Sequence, residues 1–195
     1  VKHAVLFLKH YHTKQSVEEN IVVENVIIKL RVVILEKSSN STKEFYKNHS
    51  KQVRITPRVL KIVSLIPDWI VNRTVLDVGC GNKFITTCMS IYADVKGIDI
   101  EDDIRTYKDD KQYDVVTCFD ILEHITDLVF ALINIQTICK PGGLIIVNQP
   151  EQEDHSQPYD KLVTLKDLES LGKLIYLENY QVGKNESYNF MVFKR

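Results

Sequence analysis

The apolar positions of this chain change their period along its length. Early on, Val22, Val23, Val26, Ile27, Leu30, Val33 and Ile34 recur at spacings of three and four, the repeat of an amphipathic helix. Their β-branched side chains suit strands instead, so both readings stand, with the helix preferred on spacing. The polar run Lys37-Ser38-Ser39-Asn40-Ser41 then reads as a linker. Thr56-Pro57 is a helix start, with Thr as N-cap and Pro in the first turn. Val59, Leu60, Ile62, Val63 and Ile66 supply the face that this helix should bury before Pro67 ends it. From Arg73 onward, short apolar runs alternate with helical ones. Val75–Val78, Asp94–Ile100, Asp114–Phe119 and Leu144–Val147 are predicted strands. Phe84–Tyr92 is a predicted helix, with Ile85, Cys88, Met89 and Tyr92 on one side. Asp127 caps another helix, which carries Val129, Leu132, Ile133 and Cys139 and stops at Lys140-Pro141-Gly142-Gly143.

Nearly continuous apolar strands separated by helices imply a parallel sheet covered on both faces. The end of the chain differs. Leu174–Leu177 and Tyr188–Phe193, joined by Gly183-Lys184-Asn185, form a predicted antiparallel hairpin. The expected fold is α/β: a Rossmann-like, doubly wound, mostly parallel sheet whose last strand is antiparallel. Only Glu101–Gln112 separates the second strand from the next clear one. That length leaves no room for a helix plus a full strand, so this edge of the sheet should be abbreviated. Residues 1–41 form an N-terminal extension, expected to pack on the core or on a partner because its apolar face would otherwise meet water.

Bulk composition narrows the classes without choosing one. The chain has 195 residues, 44% of them hydrophobic and 26% charged, with a formal net charge of −1, which gives no global signal for nucleic acid or an anionic membrane. Lys43, Lys47, Lys51, Arg54, Arg58 and Lys61 make a basic stripe; a solvated helix face is the reading preferred over a phosphate-binding one. Cys80, Cys88, Cys118 and Cys139 contain no C-x-x-C pair, so a zinc ribbon or a thioredoxin-like site is not expected. With no secretory leader at the start and no apolar run of about 18 residues, the chain is expected in a reducing compartment, the cytoplasm.

The strongest chemical signal is Val75-Leu76-Asp77-Val78-Gly79-Cys80-Gly81-Asn82. A buried strand ends in a turn where glycine lets the backbone approach a ligand, and a helix N-terminus follows. Gly97-Ile98-Asp99-Ile100 then places a carboxylate at the tip of the next strand, where it can accept both hydroxyls of a ribose. A dinucleotide-binding domain would share this much. Asp77 before the glycines, and Phe84 where the last glycine of G-x-G-x-x-G belongs, argue against that class.

These residues resemble a known family. Leu76-Asp77-Val78-Gly79-Cys80-Gly81 resembles the first motif of class I S-adenosylmethionine-dependent methyltransferases, and Gly97-Ile98-Asp99 their second. Tyr113 to Ile125, which includes Asp120-Ile121-Leu122-Glu123-His124, resembles the fourth-strand motif of the ubiquinone-biosynthesis and related "type 11" enzymes. Lys140-Pro141-Gly142-Gly143 resembles the fifth motif, and the terminal hairpin is similar to the reversed last strand of that fold. The resemblance covers residues 42–195, the expected methyltransferase domain. It implies S-adenosylmethionine as cofactor, with Gly79 and Gly81 under its methionine part and Asp77 organising that loop. Asp99 would hold the ribose, Asp102 the adenine, and Phe119 would border the same pocket. Cys80 and Ile100 count among the cofactor-binding positions through their neighbours. The family's usual third glycine is Lys83 here, read as solvent-exposed or as a contact to the cofactor carboxylate.

Methyl transfer asks mainly for in-line placement, because the sulfonium is already a good leaving group. His124 is the candidate base if the acceptor is a hydroxyl; a helix-capping histidine is the alternative. Asp120, Glu123 and His124 also resemble the spacing of metal-using small-RNA enzymes, but the ubiquinone-type enzymes share it, and no metal is expected. A small-molecule acceptor is favoured over RNA or protein, and a cofactor-binding module without turnover stays open. A homodimer is compatible with all of these.

Overall fold

The computed structural model describes residues 55–99, 102–125, 127–151, 161–184 and 186–195, all within the unit Val53–Arg195. The expectations for residues 1–41, and for Lys43, Lys47, Lys51, Arg54 and Ile100, lie outside the described residues. The helices are α1 (Pro57–Leu65), α2 (Pro67–Ile70), α3 (Phe84–Met89), α4 (Leu128–Ile138) and α5 (Leu165–Leu168). The strands are β1 (Thr74–Val78), β2 (Asp94–Ile98), β3 (Tyr113–Phe119), β4 (Cys139–Pro150), β5 (Lys173–Val182) and β6 (Glu186–Lys194). They form one sheet in the order β2-β1-β3-β4-β6-β5. The β2–β1–β3–β4 ladder is parallel, and β6 runs antiparallel to both β4 and β5. This is the Rossmann-like sheet with a reversed last strand that the sequence pattern implies. Among the described residues no helix is long and apolar enough to cross a membrane.

Alternation along the strands divides the core in two. Val75, Val115, Phe119, Ile146, Phe190 and Val192 face one side, where Ile62 of α1, Ile66 between the helices and Ile70 of α2 cover them with Met89 of α3. Leu76, Val116, Cys118, Ile145, Val147, Met191 and Phe193 face the other side, under Leu132, Ile135 and Ile138 of α4 and Leu168 of α5. Helix α1 begins as its sequence demands. Thr56 is extended, its hydroxyl accepts the Val59 N–H at 3.3 Å, and Pro57 opens the first turn. Of its expected apolar face, Ile62 and Ile66 are buried, but Leu60 is 52% exposed. Helix α4 departs further from its expected face. Its sequence is apolar nearly all round, so periodicity could not choose a face; Val129, Phe130 and Ile133 lie outside, and Leu132 and Ile135 lie inside. Cys139 is the C-cap of that helix, its N–H donating to the Ile135 carbonyl, and is not on its buried face. It opens β4 by pairing with Tyr113, and Lys140–Gly143 bulge out before Leu144 pairs with Val115. The bulge has a partner: the Gly142 and Arg195 N–H groups donate to the carbonyls of Arg195 and Gly143.

No residue described between 102 and 112 is in a helix or strand, so the third-strand edge is abbreviated as expected. Side chains close it instead. The Asp109 carboxylate accepts hydrogen bonds from Lys96 of β2 (2.8 Å), Tyr107 (2.8 Å) and Tyr113 of β3 (2.7 Å). The Lys96 ammonium lies 5.5 Å from the Tyr107 ring centroid and Lys111 lies 5.0 Å from that of Tyr113. Asn134 of α4 donates to the carbonyls of Ile104 and Tyr107, both at 2.7 Å. Ile104, 6% exposed, thereby fills core space beside β2.

These bonds hold the Asp109 carboxyl well below the usual carboxylate range, Lys96 contributing most. Asp114 is held at about 2 by Lys140 and Thr74. A carboxylate depressed in the folded state adds stability above its unfolded value, near 3.8 for both groups, and loses it as the pH falls toward the folded value. Asp109→Asn should therefore lower the unfolding free energy at pH 7 by roughly 1–2 kcal/mol, the range for partly exposed charge-assisted bonds. Urea titrations should show the gap between wild type and variant closing from pH 5 downward. An equal gap at pH 7 and pH 3 would remove the carboxylate from the account.

Candidate cofactor cleft

Above the carboxyl ends of β1, β2 and β3 lies an open cleft of about 440 Å³, within the usual range for a small-molecule site, about 300–1,000 Å³. Three segments build it. The β1 end gives Val78 and Gly79, the β2 end and following turn give Ile98, Asp99 and residues 102–105, and the segment after β3 gives Ile121, His124 and Ile125.

The β1 turn is held from behind and from the side. The Asp77 carboxylate is buried and accepts the hydroxyls of Thr86 of α3 (2.6 Å) and Thr117 of β3 (2.8 Å). Burial pushes its carboxyl up to about 6 against the pull of the two threonines, and Asp99 adds to the rise. The Gly79 and Cys80 N–H groups both donate to the Ile98 carbonyl, at 2.9 and 3.0 Å. Gly79 has φ +76°, and a Cβ placed there would stand 2.8 Å from Ile121 Cγ1. Only glycine fits, and the absent side chain lets the segment after β3 close against the β1 loop.

The structure brings Gly79, Asp99, Asp102 and His124 of the predicted set into one lining. The Asp102 N–H donates to the Asp99 carbonyl at 2.7 Å, which keeps the two acidic residues together on the lining. His124 ends a 3-10 turn, Leu122–His124, and is exposed to the cleft. The other predicted residues lie elsewhere. Asp77 sits behind the loop, and Gly81 is exposed beyond the lining. The Cys80 side chain occupies the space that Gly97 leaves, since a Cβ at Gly97 would meet its Sγ at 2.9 Å. Phe119 does not border the cleft: its ring belongs to the α1-side core, 6.5 Å from that of Phe190. β3 ends at Phe119, the backbone turns left-handed at Asp120 (φ +52°), and it is Ile121 beyond that turn that reaches the cleft.

Sequence reasoning missed Ile104, Arg105, Ile121 and Ile125. Arg105 grips Asp103 through Nε (2.9 Å) and Nη2 (2.7 Å) and reaches Asp127, at the start of α4, through Nη1 (3.1 Å). This bridge joins the turn after β2 to the start of α4. The bridge could not have been foreseen, because a lone Arg between two Asp residues carries no motif. The members of the acid-x-x-Glu-His cluster have different surroundings: Asp120 pairs with Arg58 and Asn148 and also feels the charge of His124, Glu123 is buried, and His124 lines the cleft.

Lys83 also has a left-handed backbone, with φ +62° and ψ +16°, and is exposed outside the lining. That geometry explains why a glycine would suit the position and places the lysine toward solvent.

A scan of known families matches residues 48–187 to a methyltransferase domain, and the chain belongs to that family. Two ubiquinone biosynthesis O-methyltransferases are similar in sequence. That of Proteus mirabilis is 29% identical over 115 residues, 46% of this chain and 47% of the relative. That of Rickettsia bellii is 28% identical over 119 residues, 49% of each chain. The chain thus spans about half the length of the curated relatives it matches. Solved structures share the fold. The 1,6-didemethyltoxoflavin-N1-methyltransferase of Burkholderia thailandensis has TM-score 0.61 at 13% identity, over 86% of this chain and 89% of that one. The N-methyltransferase NodS of Bradyrhizobium japonicum has TM-score 0.58 at 11% identity, over 72% and 89%. The [4+2]-cyclase SpnF has TM-score 0.55 at 13% identity, over 71% and 80%.

Two glycine-type positions should respond in opposite directions. Gly79→Ala should lower the unfolding free energy by about 2 kcal/mol or more, combining a left-handed alanine with overpacking against Ile121. Lys83→Gly should raise it by up to about 1 kcal/mol, left-handed strain being relieved and partly offset by a freer unfolded chain. Chemical denaturation of both variants checks the pair; a destabilised Lys83→Gly would mean that the lysine makes a contact outweighing its strain.

Proposed function

We propose that this chain binds S-adenosylmethionine in the cleft and transfers its methyl group to a small-molecule hydroxyl. The observation that carries the proposal is the meeting of the Gly79 turn, the Asp99 carboxylate and His124 in one lining. The residues fit the cofactor: the turn admits no side chain at Gly79, and Asp99 offers two oxygens to the two hydroxyls of a ribose. Ile98, Ile104 and Ile125 supply apolar walls for a base, with Asp102 at its edge. Structures of NodS and of the Burkholderia enzyme hold S-adenosylhomocysteine, which supports the same ligand here.

When bound, the sulfonium supplies an activated methyl group. The chain's own contribution is to hold the ribose, shield the site with Ile121 and Ile125, and receive the acceptor's proton. We assign that proton to His124, whose side chain lines the cleft. The names of the ubiquinone-biosynthesis relatives support oxygen as the acceptor atom. Arg58 and Lys61, the described members of the basic stripe, are engaged by Asp120 and Glu178, which favours a small acceptor over RNA. A second reading, cofactor binding without methyl transfer, draws on SpnF, a cyclase with this fold.

Calorimetry with S-adenosylhomocysteine should give micromolar affinity, weakened by roughly 1–3 kcal/mol in Asp99→Ala. No heat at millimolar ligand would remove the proposal. His124→Gln should leave that affinity intact while methyl transfer to hydroxylated aromatics falls about a hundredfold; binding with no transfer from wild type to any acceptor would select the second reading.

A further inference from the structure

We infer that Arg58 is a positioning residue for the cofactor cleft, holding Asp120 in a left-handed backbone conformation that keeps Ile121 against Gly79. The inference rests on the cofactor-binding reading for its functional consequence, but its structural core stands without it.

Asp120 follows the last residue of β3 and has φ +52°. Aspartate tolerates this region better than most residues but does not prefer it, so something must hold it there. Three bonds do. Its N–H donates to the Asn148 carbonyl at 2.8 Å. One carboxylate oxygen accepts the Asn148 amide at 2.9 Å, and the other lies 3.3 Å from Arg58 Nε. Burial pushes the Asp120 carboxyl up, opposed first by Arg58 and then by Asn148 and His124. The ion pair with Arg58 is therefore what most keeps the carboxylate charged, and its 3.3 Å contact anchors the oxygen that the Asn148 amide does not hold.

Both partners are themselves fixed. The Arg58 guanidinium lies 5.2 Å from the Tyr188 ring centroid and donates to the Tyr188 hydroxyl at 3.3 Å. Tyr188 stacks on Tyr180, with centroids 5.8 Å apart, and the Tyr180 hydroxyl donates to Asn148 at 2.7 Å. The carboxylate is thus drawn toward α1 and the terminal hairpin. The reversal at Asp120 sends the next residue, Ile121, the other way, onto Gly79. The His124 N–H donates to the Ile121 carbonyl at 3.1 Å, so the cleft wall follows Ile121. An arginine on the first described helix, absent from the cleft lining, sets the position of groups that form it.

A double-mutant cycle tests this. Glycine at position 120 adopts the left-handed backbone without help, so it should uncouple the cleft from Arg58. Arg58→Ala should weaken S-adenosylhomocysteine binding about tenfold, and Arg58→Lys should recover part of the loss. In an Asp120→Gly background, Arg58→Ala should change affinity less than twofold. Asp120→Asn, also tolerant of the left-handed region, serves if the glycine variant folds poorly. Without ligand, amide exchange at His124 should quicken in Arg58→Ala and return to the wild-type rate in Arg58→Ala/Asp120→Gly. An equal loss from Arg58→Ala in both backgrounds, or no change at His124, would overturn the inference. A wild type that binds no ligand yet shows the predicted exchange pattern would instead count against the cofactor reading alone.

Discussion

The absence of a side chain at Gly79 is the constraint on which the site depends. A single Cβ there would stand 2.8 Å from Ile121 Cγ1, and the loops after β1 and β3 could not meet. The contact is supported from several directions. The Ile98 carbonyl holds the N–H groups of Gly79 and Cys80 from the β2 side. Behind the loop, the buried Asp77 ties α3 to β3 through the hydroxyls of Thr86 and Thr117. A carboxylate raised to about 6 by burial is a costly group to place in a core. Its two charge-assisted bonds offset that cost and fix three elements at the foot of the cleft.

The two faces of the sheet contribute differently. On the α4 side, Ile104 and the Asp109 network stand where a further strand would otherwise cover the edge of β2, and Arg105 links that turn to the start of α4. On the α1 side, aromatic rings of β5 and β6 pack beneath α1 and α2. Trp69 lies 5.4 Å from Tyr176, and Phe190 lies between Phe119 and Tyr176. The reversed hairpin is therefore more than a lid on the sheet, because it carries Tyr180 and Tyr188, which brace the residues behind the cleft wall.

What was legible in the sequence follows physical rules with short range. The glycine turn, the Asp99 tip, the parallel strands and the terminal hairpin each depend on a few adjacent residues, and each is where its pattern placed it. The less legible parts depend on contacts between distant residues. Helix α4 is apolar all round, so only its docking decides that Val129 and Ile133 face outward. Phe119 ends an apolar strand and Ile121 lies just beyond it, and a pattern buried on two faces does not say which residue turns to the ligand. Arg58 belongs to a basic stripe by sequence, and its partner Asp120 becomes visible only once α1 lies on the sheet.

The proposed cofactor site requires the loops after β1, β2 and β3 to act as one pocket for one ligand. Amide chemical shifts followed during titration with S-adenosylhomocysteine read this out residue by residue. Gly79, Asp99, Asp102, Ile121 and Ile125 should move together along a single saturating curve, while Ile62, Ile66 and Trp69 on the α1 face stay in place. Shifts concentrated on the α1 face, or different saturation points for the β1 and β3 loops, would contradict it.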